Sequence, residues 1–263
     1  MKSIALDTLA GFFAGLSLFA YAIYSSTTNY LMFFHMPSFL MVIGGTLAAS
    51  MISFKASYVI IALKELIRIL IPHNVTNETI YKEIESIFKW ARILKQKGSK
   101  ELEKELSQAK IKDHFLKYGS ELIITGYRGE QLRKMLVNFT ETTFERNMIS
   151  TYILKTMAGL APAFGMLGTV IGLIVMLEKM GSDPLQLGKG LAFALITTLY
   201  GIFIAQLFFK PAAEKVKQRQ EILRFRNLLV TEGLVLLGDN KDELLIQDMV
   251  NSFLDPNSHL SIQ

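Results

Sequence analysis

Two stretches of an otherwise apolar sequence hold the residues that can do chemistry. In APAFGMLGTVIGLIVML, Ala161 to Leu177, the residues Pro162, Gly165, Thr169 and Gly172 recur at spacings of three, four and three, which is one face of a helix. The chain turns at GSDP, Gly181 to Pro184, and returns through GKGLAFALITTLYG, Gly188 to Gly201. There Ala194, Thr198 and Gly201 share a face that continues to Ala205, with Thr197 beside it. Two threonine-bearing faces offer hydroxyl oxygens, and Pro162 leaves the carbonyl of Ala158 without its usual helical donor. Oxygens of this kind can replace part of the water around a small cation. The alternative is that each threonine bonds the carbonyl one turn back in its own helix. Gly165, Gly168, Gly172 and Gly201 are candidates for close helix packing, because a missing side chain lets two backbones approach.

The same stretches lack something. Asp7 and Glu178 lie at the edges of apolar runs, and no other Asp or Glu falls inside one. An ion route that works through a carboxylate therefore has to receive it from a partner. The chain has no cysteine, and its four histidines, His35, His73, His114 and His259, are isolated from one another. No HExxH, phosphate-binding loop or GxSxG is present, so nothing points to an enzyme, a resident metal or a cofactor.

The elements that must position these residues are membrane helices. Of 263 residues, 51% are hydrophobic and 19% charged, and mean hydropathy is +0.33. No Asp, Glu, Lys or Arg occurs from Thr8 to Phe54, from Thr156 to Leu177, or from Gly190 to Phe209. The last two runs, 22 and 20 residues, each match one helix across a hydrocarbon core of about 30 Å. The first is long enough for two passes. The expectation is an all-α integral membrane protein with four spans, at about 4–24, 38–54, 156–177 and 190–209. Of the 28 basic residues, eighteen lie from Lys55 to Lys155 and seven from Lys210 onward, while Ser25 to Pro37 has none. The positive-inside rule places both termini and the long loop in the cytoplasm. The domains expected are an N-terminal hairpin (1–54), a large helical cytoplasmic domain (55–155), a second hairpin (156–209) and a cytoplasmic helical tail (210–263).

Helix 1 carries a GxxxG pair, Gly11 and Gly15, and helix 2 a packing pair, Gly44 and Gly45. SYVIIALKELIRIL, Ser57 to Leu70, is amphipathic and suits the membrane interface. Pro72 is expected to end it, with a new cap at Thr76 or Asn77. Ile80, Ile84, Ile87, Phe88, Ala91 and Leu94 come next at helical spacing. Gly98, Gly119 and Gly126 are read as breaks between cytoplasmic helices, and a stretch from Gly129 to Tyr152 leads into helix 3. A long basic helix after helix 4 ends at Gly238-Asp239-Asn240, before a short final helix.

At these residues the chain resembles the MotA/PomA family of flagellar stator proteins. The matching strings are VIGGTLAA, APAFGMLGTVIGLI, LGKGLAFALITTLYG and KPAAEK, in that order along nearly the whole chain. ExbB/TolQ proteins resemble it only over the last two spans. The resemblance implies five such subunits around two copies of a MotB/PomB-type partner. That partner has one membrane helix bearing an aspartate and a peptidoglycan-binding domain. Ion flow in the bacterial inner membrane would then drive torque on the rotor protein FliG. Pro162 and Pro211 match the family's channel prolines, and Thr169, Thr197 and Thr198 its hydroxyls facing the partner. In LKQKGSKELEKE, Lys95 stands where the family has Arg, while Gly98 matches the family's Gly and Leu102-Glu103 its Leu-Glu pair. Lys95, Arg92 and Glu103 are the candidate rotor-facing charges. The threonine at Thr197 resembles sodium-type members, which implies transient Na+ near Thr169 and Thr197, with H+ as the other possibility. Other outputs remain open, namely gliding, envelope energisation or defence, as does a structural scaffold whose small-residue faces only pack.

Overall fold

A backbone surrounded by lipid has no water to bond, so each apolar run satisfies its own N–H and C=O groups by coiling. A computed structural model describes residues 6–71, 77–108, 111, 113–179, 184–256 and 259. Ten α-helices occur among the described residues. They are α1 (Leu6–Ser26), α2 (Met36–Ser53), α3 (Ala56–Arg68), α4 (Asn77–Lys97), α5 (Ser99–Gln108), α6 (His114–Thr125), α7 (Gly129–Glu178), α8 (Pro184–Ile204), α9 (Lys210–Gly238) and α10 (Glu243–Asn251). Four stretches of helix are long and apolar enough to cross a membrane. The GSDP turn, Pro72 and the Thr76 cap fall outside the described residues, apart from Pro184, which opens α8.

The chain forms two compact units. The first comprises residues 1–72 and 147–218, the second residues 73–146 and 219–263. These limits differ from the expected domain edges at 54, 155 and 209. The reason is that α3 and the start of α9 bury residues among the membrane helices. Val59 and Ala62 of α3 and Ala212, Ala213 and Val216 of α9 share one core with Val42, Leu154, Met157 and Ala161.

In the first unit, α2 buries Ser38, Val42, Thr46 and Ser50, one residue per turn. Two of its buried hydroxyls are satisfied locally, since Thr46 donates to the Val42 carbonyl (2.6 Å) and Ser50 to that of Thr46 (2.7 Å). By contrast α1 touches its neighbours sparsely, through Phe12 against Phe208 and Phe19 against Phe203. Most of its large apolar residues face outward, as a lipid-facing span requires. The expected span 190–209 is not one regular helix. After α8 the chain takes a π-helical turn, Ala205–Phe209, and the Lys210 N–H reaches back five residues to the Ala205 carbonyl. Pro211 has no N–H for the Leu207 carbonyl and its ring crowds that turn, which the wider π winding relieves.

The second unit has its own core, which includes Ile84, Ile87, Leu132, Leu136, Leu229, Leu234 and Ile246. Arg226 lies within it at 2% exposure. Its guanidinium donates to both oxygens of Glu83, to Asn227 Oδ1 (2.8 Å), and sits 2.8 Å from Asp113 Oδ1. Burial works against this charge, but the Glu83 and Asp113 carboxylates outweigh it and hold the group above its ordinary value. Gly98 (φ +80°) and Gly126 (φ +102°) end α4 and α6 in left-handed backbone, as expected of breaks. Gly119 is different. It lies inside α6, where a Cβ would run into Leu234 Cδ1, so its smallness serves packing rather than a break.

Candidate functional site

Helices α7 and α8 run antiparallel and very close, and glycine makes that possible. A Cβ on Gly201 would lie 2.6 Å from the Ala161 carbonyl, and one on Gly165 would lie 3.1 Å from the Thr197 carbonyl. One on Gly168 would run into Thr197 Cγ2, and one on Gly172 would meet the Ala194 nitrogen at 2.8 Å. Gly190, which sequence reasoning did not single out, completes the series against the Gly172 carbonyl at 3.0 Å. In α2, Gly45 receives the ring of Phe164, whereas a Cβ on Gly44 would meet nothing within 4 Å. Within this chain, then, no close approach among the described residues requires the missing side chain of Gly44.

The close approach brings Thr169 and Thr198 into contact. Their hydroxyls share a hydrogen bond across the helix pair. Thr169 Oγ1 is also 3.2 Å from the carbonyls of Gly165 and Ala194, and Thr198 Oγ1 is 3.2 Å from the Gly165 carbonyl. Both residues are half-buried. Two hydroxyls carry two protons between them, fewer than the oxygens they face. The cluster is thus rich in acceptor oxygen and holds no formal charge. Such oxygens suit a small hard cation, which prefers oxygen ligands. Pro162 is half-buried beside it, its Cα within 3.2 Å of where a Gly201 Cβ would stand.

Thr197 goes elsewhere. It is fully buried, and its hydroxyl lies 2.5 Å from the Phe193 carbonyl and 2.9 Å from Ser38 Oγ of α2. Ser38 Oγ lies 2.9 Å from His35 Nδ1, and His35 caps α2 by accepting from the Ser38 N–H at 3.4 Å. Tyr200 adds a second tie, donating to the Phe33 carbonyl and accepting from the His35 N–H (3.1 Å). The three threonines therefore do not form one surface: Thr169 and Thr198 face each other, and Thr197 anchors α8 to α2. The HMPS string, with proline behind a capping residue, signals a helix start. Nothing in the sequence said that its serine would meet Thr197. Pro211 is exposed and sits at the π turn, away from the threonine cluster along the chain.

The charged candidates lie in the second unit. Arg92 donates to both oxygens of Glu243, at 2.6 and 3.3 Å, and Lys95 Nζ donates to Asp242 Oδ1 at 2.6 Å. Hydrogen bonding to Glu243 raises the Arg92 pKa above its ordinary value. Both cations thus clasp the first turn of α10, while Glu103 is exposed on α5 next to the buried Leu102.

The comparisons agree with this architecture. Residues 107–226 match the model of the MotA/TolQ/ExbB proton channel family. The uncharacterized protein YtxD of Bacillus subtilis is 31% identical over 92% of this chain and 88% of its own length. The chain belongs to the MotA/TolQ/ExbB proton channel family. Motility protein A of Aquifex aeolicus is 32% identical over 72% of this chain and 73% of its own length, so within that family the chain is of the MotA/PomA stator type. Motility protein A of Borreliella burgdorferi is 35% identical over 65% of this chain and 66% of its own. The flagellar MotAB stator complex from Bacillus subtilis has a chain that superposes with a TM-score of 0.81 at 25% identity, covering 96% of each. Members of the MotA/TolQ/ExbB family are channel proteins rather than enzymes, and this one is a multi-pass protein of the inner membrane.

Proposed function

We propose that this chain is the ion-conducting stator subunit of a bacterial flagellar motor, and that sodium is the ion it passes. The reading is carried by the Thr169–Thr198 pair, two hydroxyls and two carbonyls gathered on a charge-free seam of α7 and α8. A sodium ion needs oxygens to replace its water, whereas a proton needs only a group to ride on. The seam supplies the oxygens and lacks the group. The carboxylate comes from a single-span MotB/PomB-type subunit with a peptidoglycan-binding domain. Five copies of this chain surround two copies of that partner, with both termini in the cytoplasm. Pro162 lies beside the threonine pair within α7, and Pro211 follows the π turn at the end of the α8 span. Thr197 positions α8 through Ser38. Arg92, Lys95 and Glu103 form the charged face that meets FliG, with α10 holding the two cations in place. Support for the stator reading comes from the motility-protein relatives and from the likeness to the MotAB chain.

The test is complementation. A strain without stators, given this chain and its cognate single-span partner, should swim. The same strain with the partner's membrane aspartate changed to asparagine should not. A complex that is present in the membrane but moves nothing in either form contradicts the flagellar reading.

A further inference from the structure

A cavity of about 420 Å³ opens in the membrane unit beside α1. Gly11 and Phe12 of α1 form one wall, Leu66 of α3 and Leu70 in the turn after it a second, and Phe208 and Pro211 at the π turn a third. Gly11 leaves its part of the wall open. A Cβ there would meet nothing within 4 Å, whereas one on Gly15, a turn further on, would stand 2.7 Å from Leu207 Cδ1. Folded proteins leave few voids larger than a water molecule. Ordered water needs about two to four polar partners, and this lining is almost wholly apolar. What fills it is hydrocarbon, and the bilayer around α1 supplies acyl chains.

The rim says which lipid. Among the lining residues the one charged side chain is Lys215, with the Thr8 hydroxyl also on the wall. Lys215 makes no ion pair among the described residues, while the adjacent Glu214 is taken by Lys155 at 2.9 Å. A lysine at the edge of a spanning segment lays its stem along apolar surface and carries its ammonium to the headgroup level. We propose that this cavity binds an anionic glycerophospholipid, one acyl chain lying along Gly11 and Leu70 and the phosphate resting on Lys215. The site depends only on the membrane placement of α1 and α3, and stands whatever ion the protein passes.

The test uses the full chain with its partner in nanodiscs of equal phosphatidylglycerol and phosphatidylcholine, followed by native mass spectrometry of retained lipid. Wild type should enrich phosphatidylglycerol about fivefold, the factor one lysine near an anionic surface supplies. Lys215→Gln should bring the two lipids to parity without losing retention. Gly11→Leu, which fills the slot, should lose the retained lipid. Equal retention of both headgroups by the wild type overturns the proposal, as does enrichment that survives Lys215→Gln. If Gly11→Leu instead separates the subunits while lipid retention stays at the wild-type level, a second copy of the chain fills the slot and the proposal fails. Should Gly11→Leu not accumulate, Lys215→Gln decides alone.

Discussion

Thr169 of α7 and Thr198 of α8 join their hydroxyls across two helices, with the Gly165 carbonyl within 3.2 Å of both oxygens. A threonine in a membrane helix commonly bonds the carbonyl one turn back, and Thr169 does reach Gly165. Here that bond is one of several, and the cross-helix contact makes the pair a single oxygen cluster.

The pair should therefore behave as a unit. Thr169→Val and Thr198→Val each keep side-chain volume and remove one oxygen. Each is expected to cut swimming speed while leaving the complex in the membrane. The double variant should be no worse than the poorer single one, because groups acting together are not additive. Swimming speed alongside membrane levels checks this, and additive losses would separate the two residues.

Thr197 should respond differently, through Ser38. Ser38→Ala removes the oxygen that meets the Thr197 hydroxyl and lies beside His35 Nδ1. Loss of one buried hydrogen bond costs about 1 kcal/mol, and more where a donor is left unpaired. The expected result is a lower melting temperature of the purified complex. The concentration of sodium giving half-maximal speed should stay the same. A shifted sodium response without loss of stability would put Thr197 in the ion route instead.

Gly201 and Gly44 provide a paired test of packing. Gly201→Ala places a methyl 2.6 Å from a backbone carbonyl that no side-chain rotation can move. Overpacking of this kind costs about 1–3 kcal/mol, so assembly should fall. Gly44→Ala meets nothing in its own chain and should leave the isolated subunit at least as stable, since alanine favours helix over glycine by about 0.5–1 kcal/mol. Thermal unfolding of the two variants distinguishes them.

The second unit hangs on Arg226. Removing it as Arg226→Met leaves the Glu83 and Asp113 carboxylates without their shared cation. Breaking a buried pair from one side costs about 3–5 kcal/mol. The variant should be poorly folded in this unit, and adding Glu83→Gln should restore part of the loss. An Arg226→Met protein of unchanged stability would show that the cluster does not hold the unit.

The spans were legible because charge is excluded from lipid. The runs Thr156–Leu177 and Gly190–Phe209 announced themselves by that absence alone. Spacing also placed Thr169 on the face that meets Thr198. Spacing was blind to what lies across a helix, so Thr197 looked like a second hydroxyl beside Thr198 and turned out to be a tie to α2. Gly119 looked like a break because glycine weakens helices, yet Leu234 occupies the space it leaves. Pro211 matches a channel proline of the family, but the five-residue π turn before it depends on how the helix accommodates the ring, which no residue pattern states. Arg226 read as one more base on a basic helix, since Glu83 is 143 residues away and Asp113 is the cap of another helix.

The most direct measurement is the speed of cells whose only stator is this chain with its partner, swum in sodium medium and in sodium-free potassium medium. Speed should rise and saturate with external sodium and vanish in potassium. In Thr169→Val and Thr198→Val cells, half-maximal speed should require more sodium than in the wild type. Equal speed in both media would contradict the sodium route and leave Thr169 and Thr198 as packing residues beside a proton path.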